Sequence, residues 1–298
     1  MAIPIPPAVH GDLQSLLALA RQEDLGPGDV TSTILPPGVQ AAGRFVAREP
    51  MTTAGMPLLA EIAQAYDGEL TTEIHADDGA NVQPGALLAE WRGPARSMLS
   101  AERVALNFLQ RLCGVATLTA RYVAKAHGTP AKICDTRKTT PGWRELEKYA
   151  VRAGGGTNHR RGLYDAILIK DNHLAILAAA GHPDPIVALP ETIATLREKH
   201  PDLQFVQIEV DTLDQLETAL TLDVEMILLD NMNPSQLRRA VEMRARAGKA
   251  DAIELEASGG ITLSTVADVA ATGVDRISVG AVTHSAVAVD IGLDVRIG

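Results

Sequence analysis

The sequence predicts an α/β protein, an open or incomplete α/β barrel of about six parallel strands, with a smaller sheet-containing domain before it. Three observations predict it. From Ala131 onward, short Val/Ile/Leu runs alternate with segments of helical periodicity, the pattern of parallel βαβ units. About six such runs are found, short of the roughly eight strands of a full barrel. The first part of the chain also differs in composition, because no lysine occurs before Lys125. A length of 298 residues has room for both domains.

In order, a short amphipathic helix around Leu13 to Arg21 is followed by a Pro/Gly-punctuated turn segment from Glu23 to Gly38. Strand-like runs "GRFVARE" and "GELTTEIHA" flank a helix near Pro57 to Tyr66. "DGANVQPGALLAEWRG" (Asp78 to Gly93) reads as strand, glycine turn, strand. It is similar to the hairpin of biotinyl and lipoyl carriers. Those carry their cofactor on a lysine, which this region lacks, so the reading is a small sheet domain. Ser97 to Ala126 is one long helix, or two joined at Gly114. Val104, Phe108, Leu112 and Val115 recur at helical spacing and face the core, while Arg103 lies on a polar face and reads by itself as a solvated surface residue.

The barrel strands are "AKICDTRK", "DAILIKDNH", "FVQIEVD", "MILLDN", "IELEASGG" and "RISVGAVTH". Helices are expected in "PETIATLREKH", "LDQLETAL", "PSQLRRAVEMRARAG" and "TLSTVADVAATG". Each strand is a continuous apolar run, as when both faces are buried. Each ends in polar, charged or small residues, and in such barrels these ends converge on the active site.

Composition narrows the function. A net charge of −10 argues against a general nucleic-acid or membrane-surface binder. Aromatics at 3% leave an aliphatic core. Cys113 and Cys134 make neither a disulfide framework nor a zinc site and are expected buried and reduced. No signal-like start or membrane-length apolar run is present, so a cytoplasmic location is expected. Against the acidic background, Arg137 to Arg161 holds seven cations and two acids, a net of +5 that leaves −15 for the remainder. Such a cluster is built for something negatively charged.

The strand ends form one ring: Asp135, Arg137 and Lys138; Lys170, Asp171, Asn172 and His173; Glu209 and Asp211; Asp230 and Asn231; Glu256, Ser258, Gly259 and Gly260; Ser278, Gly280 and His284. Arg137, Lys138, Arg160 and Lys170 suit a ligand with several negative charges, arginine by bidentate forks and lysine as a point charge. "EASGG" and "SVG" end the last two strands before expected helix starts, where main-chain N–H groups form phosphate cradles. Ser258, Gly259, Gly260, Ser278, Gly280 and His284 are therefore the phosphate-binding candidates. Glu209 and Asp230 have two open readings: binding Mg²⁺ or ribose, directly or not, or neutralising Lys138 or Lys170. "AGGGTN" (Ala153 to Asn158) does not follow a strand and lacks a P-loop ending; it reads as a flexible turn presenting His159 and Arg160. His159, His173 and His284 have no metal-site spacing.

"EDLGPGDVTS", "AERVALNFLQRLCGVAT", "DTRKTTPGWRELEKYAVRAGGGTNHRRGLYDAILIKDNH", "EVD", "ILLDNM", "EASGGI" and "SVGAVTHSA", in that order, resemble the quinolinate phosphoribosyltransferases across nearly the whole chain. The resemblance implies a mixed α/β sandwich domain over residues 1–115, joined by a tail from about 284 to 298, and a catalytic open barrel over 116–283. It implies an enzyme of NAD biosynthesis, a carboxylating nicotinate-nucleotide diphosphorylase, joining quinolinate to 5-phosphoribosyl-1-diphosphate with Mg²⁺ and no organic cofactor. It places Arg137, His159, Arg160 and Lys170 on the quinolinate carboxylates and Lys138 on the diphosphate. Glu209 and Asp230 come near the ribose and metal, and Ser258, Gly259, Gly260 and Gly280 around the 5-phosphate. Arg103 comes from a neighbouring subunit, which implies a homodimer or higher oligomer with shared sites. The same-fold alternative is a molybdenum-transport-associated paralogue; Lys170 in "LIKDNH" favours the quinolinate enzyme. A plain anion-binding protein is disfavoured, because Glu209 and Asp230 would repel its ligand.

Overall fold

Alternating periodicity translates into alternating elements. A computed structural model describes residues 4–182 and 184–297. In chain order the elements begin with helix α1 (Pro7–Leu25), strands β1 (Gln40–Ala47) and β2 (Met51–Thr52), helix α2 (Leu58–Tyr66), strands β3 (Thr71–Ile74), β4 (Asn81–Val82) and β5 (Leu87–Pro94), and helix α3 (Ala95–Ala126). Then come β6 (Lys132–Cys134), α4 (Arg144–Ala153), β7 (Ile167–Ile169), α5 (Asp171–Ala179), α6 (Leu189–Lys199), β8 (Val206–Val210) and α7 (Leu213–Ala219). The chain closes with β9 (Met226–Asp230), α8 (Pro234–Arg246), β10 (Glu254–Ser258), α9 (Val266–Ala270), β11 (Arg276–Ser278), α10 (Ala281–His284) and β12 (Ile291–Ile297). They divide into two units, residues 1–120 with 138–156 and 281–298, and residues 121–137 with 157–280.

The first unit holds an antiparallel sheet in the order β12-β1-β5-β3 and a two-stranded β2-β4 pair. Phe45 meets Trp91 edge-on, ring centroids 4.8 Å apart, and both are fully buried, as are Leu59 and Ile62 of α2 and Met98 of α3. Helix α3 is continuous through Gly114, with Val104, Phe108, Leu112 and Val115 buried as their spacing predicts. Gly114 is not a joint. A Cβ there would lie 2.1 Å from the carbonyl oxygen of Val287, so glycine lets the C-terminal main chain lie against the helix.

The segment 138–156, assigned above with the barrel, groups with the first unit instead. Fully buried Glu147 accepts hydrogen bonds from Arg111 Nε (3.1 Å) and Thr140 Oγ1 (2.8 Å), and Trp143 stacks on Phe108 with centroids 4.7 Å apart. The expected flexible "AGGGTN" turn is a tightly packed helix end. A Cβ at Gly154 would lie 2.4 Å from the Ala116 carbonyl, and one at Gly156 would lie 2.8 Å from Thr119 and Val151. Cys113 and Cys134 are buried free thiols, and burial raises the pKa of both.

The second unit holds six parallel strands in the order β6-β11-β10-β9-β8-β7, the predicted open α/β barrel. Beyond β6 the edge continues into Thr157, whose N–H donates to the Ile133 carbonyl at 2.8 Å. The expectation of strands apolar on both faces holds for one face only. Ile208, Val210, Ile227, Leu229 and Leu255 are buried on one side, while Gln207, Glu209, Glu256, Arg276 and Ser278 are buried on the other. Charges at that depth persist because they pair with one another.

Candidate active site

Strand ends and the first residues after them position the polar groups. Lys170 follows β7 and N-caps α5, its main-chain N–H donating to His173 Nδ1 at 2.9 Å. Its Nζ lies 2.6 Å from Oε2 of Glu209 on β8. In the free protein, then, Glu209 does neutralise Lys170, one of the two readings left open by the sequence. Asp230 ends β9 opposite Ser258 of β10. Asn231 comes next with φ of 53°, the one left-handed non-glycine among the described residues. Its Nδ2 donates to Asp230 Oδ2 (2.6 Å) and its N–H to the Ser258 carbonyl (2.9 Å). Gly259 and Gly260 are also left-handed, and a Cβ at Gly259 would lie 2.2 Å from Asn231 Oδ1. Asn231 thus shapes the Ser258–Gly260 turn and orients Asp230, a role that the ring of strand ends had not assigned to it. The available signal was its type, since asparagine tolerates the left-handed region directly after a strand.

The cations enter from the loops after β6 and α4. Fully buried Asp135 accepts the His159 N–H (2.8 Å) and Asn158 Nδ2 (2.7 Å). Arg160 is 8% exposed and donates from Nη1 to the Ala166 carbonyl at 3.1 Å. Burial, and then the like charge of Arg137, lower its guanidinium pKa, with Asp165 opposing them. The main-chain N–H groups of Arg161 and Gly162 donate to Asp165, which shapes the loop.

Beneath this layer Glu256 is fully buried and accepts from Ser278 Oγ (2.6 Å) and Arg276 Nε (3.2 Å), with His159 Nε2 at 3.4 Å. Burial alone would raise its pKa; hydrogen bonds from His159 and Ser278 and the charge of Arg276 lower it overall. Arg276 also pairs with Glu254 (3.3 Å), which pairs with Lys132 (3.2 Å). Ser278, expected among the phosphate-binding residues, therefore turns its hydroxyl inward to Glu256. Gln207, fully buried, was missed by reading strand ends alone, since it lies two residues before Glu209 on the same face of β8.

Three expected site residues belong to the first unit. Arg103 is exposed on α3; Lys138 is exposed, its carbonyl accepting the Thr283 hydroxyl at 2.8 Å; His284 is exposed at the end of α10, with Nδ1 2.7 Å from Ser285 Oγ. Gly280 leads directly into α10, whereas residues 261–265 separate Gly260 from α9, so only the "SVG" turn stands at a helix start. No group of three or more His, Cys, Asp or Glu is gathered as a metal site among the described residues. Glu209 and Asp230, on adjacent strands, still fit Mg²⁺, which one or two carboxylates hold when substrate oxygens and water complete the shell. No helix among the described residues is long and apolar enough to cross a membrane. The second unit thus combines the guanidinium groups of Arg137 and Arg160, a lysine–glutamate pair, a second carboxylate and a left-handed glycine turn, a set suited to a polyanion with a sugar between its charges.

Two family models match in tandem: the quinolinate phosphoribosyl transferase N-terminal domain over residues 29–113 and its C-terminal domain over residues 115–294. The probable carboxylating nicotinate-nucleotide pyrophosphorylase of Bacillus subtilis (strain 168) is 40% identical over 288 residues, 97% of this chain and 95% of that protein. The carboxylating nicotinate-nucleotide pyrophosphorylase of Mycobacterium leprae is 41% identical over 279 residues, 92% of this chain and 94% of that protein. The solved nicotinate-nucleotide pyrophosphorylase of Francisella tularensis superposes with a TM-score of 0.87 at 32% identity, covering 99% of both chains.

Proposed function

The chain belongs to the quinolinate phosphoribosyltransferase family, and we propose that it runs the family's reaction with the strand-end residues described above. It joins quinolinate to 5-phosphoribosyl-1-diphosphate and releases diphosphate and CO₂, giving nicotinate mononucleotide for NAD biosynthesis. The observation that carries this reading is the row of chemistry along adjacent parallel strand ends: Lys170 bonded to Glu209 at 2.6 Å, then Asp230, then the left-handed turn of Gly259 and Gly260. Nothing in the comparisons favours a molybdenum-transport role.

Arg137, Arg160 and Lys170 take the two carboxylates of quinolinate, Lys170 exchanging part of its hold on Glu209 for the substrate. The main-chain N–H groups of the Ser258–Gly260 turn and Gly280 take the 5-phosphate. On the family resemblance, Lys138 is assigned to the diphosphate and Arg103 to the site of a neighbouring subunit of a homo-oligomer. The pyridine nitrogen attacks C1 of the ribose as diphosphate departs, through an oxocarbenium-like state. Glu209 and Asp230 stabilise the positive charge developing there, and Asn231 keeps Asp230 in place. Mg²⁺ held through Glu209 and Asp230 would supply charge neutralisation of the leaving diphosphate. The ring nitrogen's positive charge then stabilises the carbanion left when the 2-carboxylate departs as CO₂, and a proton from water converts it to nicotinate mononucleotide.

The test is an assay of the purified protein with quinolinate, 5-phosphoribosyl-1-diphosphate and Mg²⁺, following CO₂ and nicotinate mononucleotide. Nicotinate should not be used, because it lacks the second carboxylate for which Lys170 would exchange part of its hold on Glu209. Comparable turnover of nicotinate would sink this reading.

A further inference from the structure

A neutral imidazole carries one N–H, and the neighbours of His159 decide which nitrogen holds it. The main-chain N–H of Arg160 donates to Nδ1 at 2.8 Å. The proton therefore sits on Nε2, 2.9 Å from Gln207 Oε1 and 3.4 Å from Glu256 Oε1. Turning the Gln207 amide over would set two N–H donors face to face, so its orientation follows from the tautomer. The ring also stands edge-on to Phe205, centroids 5.4 Å apart, and Asp135 holds its main chain. An imidazole so placed has no N–H left for a substrate carboxylate, and its Nδ1 lone pair would repel one.

We propose that His159 is a positioning residue: the buried Gln207 and Glu256 set its ring so that Nδ1 holds the main chain of Arg160 where the guanidinium meets the acidic substrate. This rests on the reading that Arg160 binds quinolinate. Glu256 can do this because it is a buried anion, stabilised from behind by Ser278 and Arg276, and an ionised carboxylate only accepts hydrogen bonds. Gln207 supplies the second acceptor. The network thus converts a charge inside the barrel into the placement of one binding residue.

The tautomer is read directly by long-range ¹H–¹⁵N correlation on histidine-labelled protein, with His159 assigned by loss of its signals in His159→Gln. The expected result is an Nε2–H ring whose nitrogen shifts stay unchanged when quinolinate is added. An Nδ1–H ring, or a nitrogen shift typical of a new hydrogen bond to the substrate, overturns the proposal. A kinetic arm uses the two amide side chains. Asparagine at 159 keeps an oxygen near the Nδ1 place, as Asp171 Oδ1 takes the next residue's N–H at 2.7 Å, whereas glutamine does not. His159→Asn should keep the quinolinate KM within about 3-fold of wild type and His159→Gln raise it about 10-fold, one hydrogen bond's worth, with the KM for 5-phosphoribosyl-1-diphosphate unchanged. Equal losses in the two variants also overturn it. If the wild-type protein does not turn over quinolinate, the functional reading fails instead, and the tautomer alone decides the placement of His159.

Discussion

Glu209 is held 2.6 Å from Lys170 and is 7% exposed, so removing it has two opposed consequences. The site loses a carboxylate near the developing ribose charge, and Lys170 gains freedom to meet a quinolinate carboxylate. Glu209→Ala should therefore lower kcat by about 100-fold or more while leaving quinolinate binding intact or tighter. Asp230→Ala should lower kcat to a similar degree. Steady-state kinetics in both substrates separate these outcomes; an intact kcat with a raised quinolinate KM would reverse the assigned roles. At this scale the candidate ring was legible because strand ends announce themselves by a change from apolar to polar residues. Gln207, inside the strand in "FVQIEV", gave no such signal. Glu256 stood in the ring of strand ends, but only the partners of the two residues show that they form a connected buried network.

The long α3 helix shows which part of an element its own sequence reveals. Periodicity identifies the buried stripe of Val104, Phe108, Leu112 and Val115, whereas Gly114 looks like a break and is instead a place of close approach. Helix propensity alone predicts that Gly114→Ala stabilises by about 1 kcal/mol. The added Cβ would lie 2.1 Å from the main-chain oxygen of Val287, an atom that cannot rotate aside. Overpacking of that kind costs about 1–3 kcal/mol or more, so packing wins. Thermal unfolding of Gly114→Ala should show Tm lowered by about 2–8 °C. An unchanged or raised Tm would mean that the C-terminal segment gives way at little cost.

For the whole molecule, the family resemblance assigns Arg103 to a neighbour's site, and its exposure on α3 is compatible with that use. Arg103→Ala and Lys138→Ala proteins should each be nearly inactive, yet mixing them after subunit exchange should restore roughly a quarter of wild-type activity. That is the value for a homodimer, in which about half the molecules would be mixed, each with one intact site. No recovery, with exchange shown independently, would place Arg103 in its own subunit's site or in none. The sequence by itself determined the βαβ order, the six parallel strands, the acidic chain with its cationic segment and the family, because periodicity and residue type at strand ends are local properties of the chain. Only tertiary structure decided that 138–156 joins the first unit, that Ser278 turns inward and that both ring nitrogens of His159 are engaged. Those outcomes depend on partners far away in sequence, such as Arg111 for Glu147 and Gln207 for His159, and no local pattern encodes which buried donor will meet which acceptor.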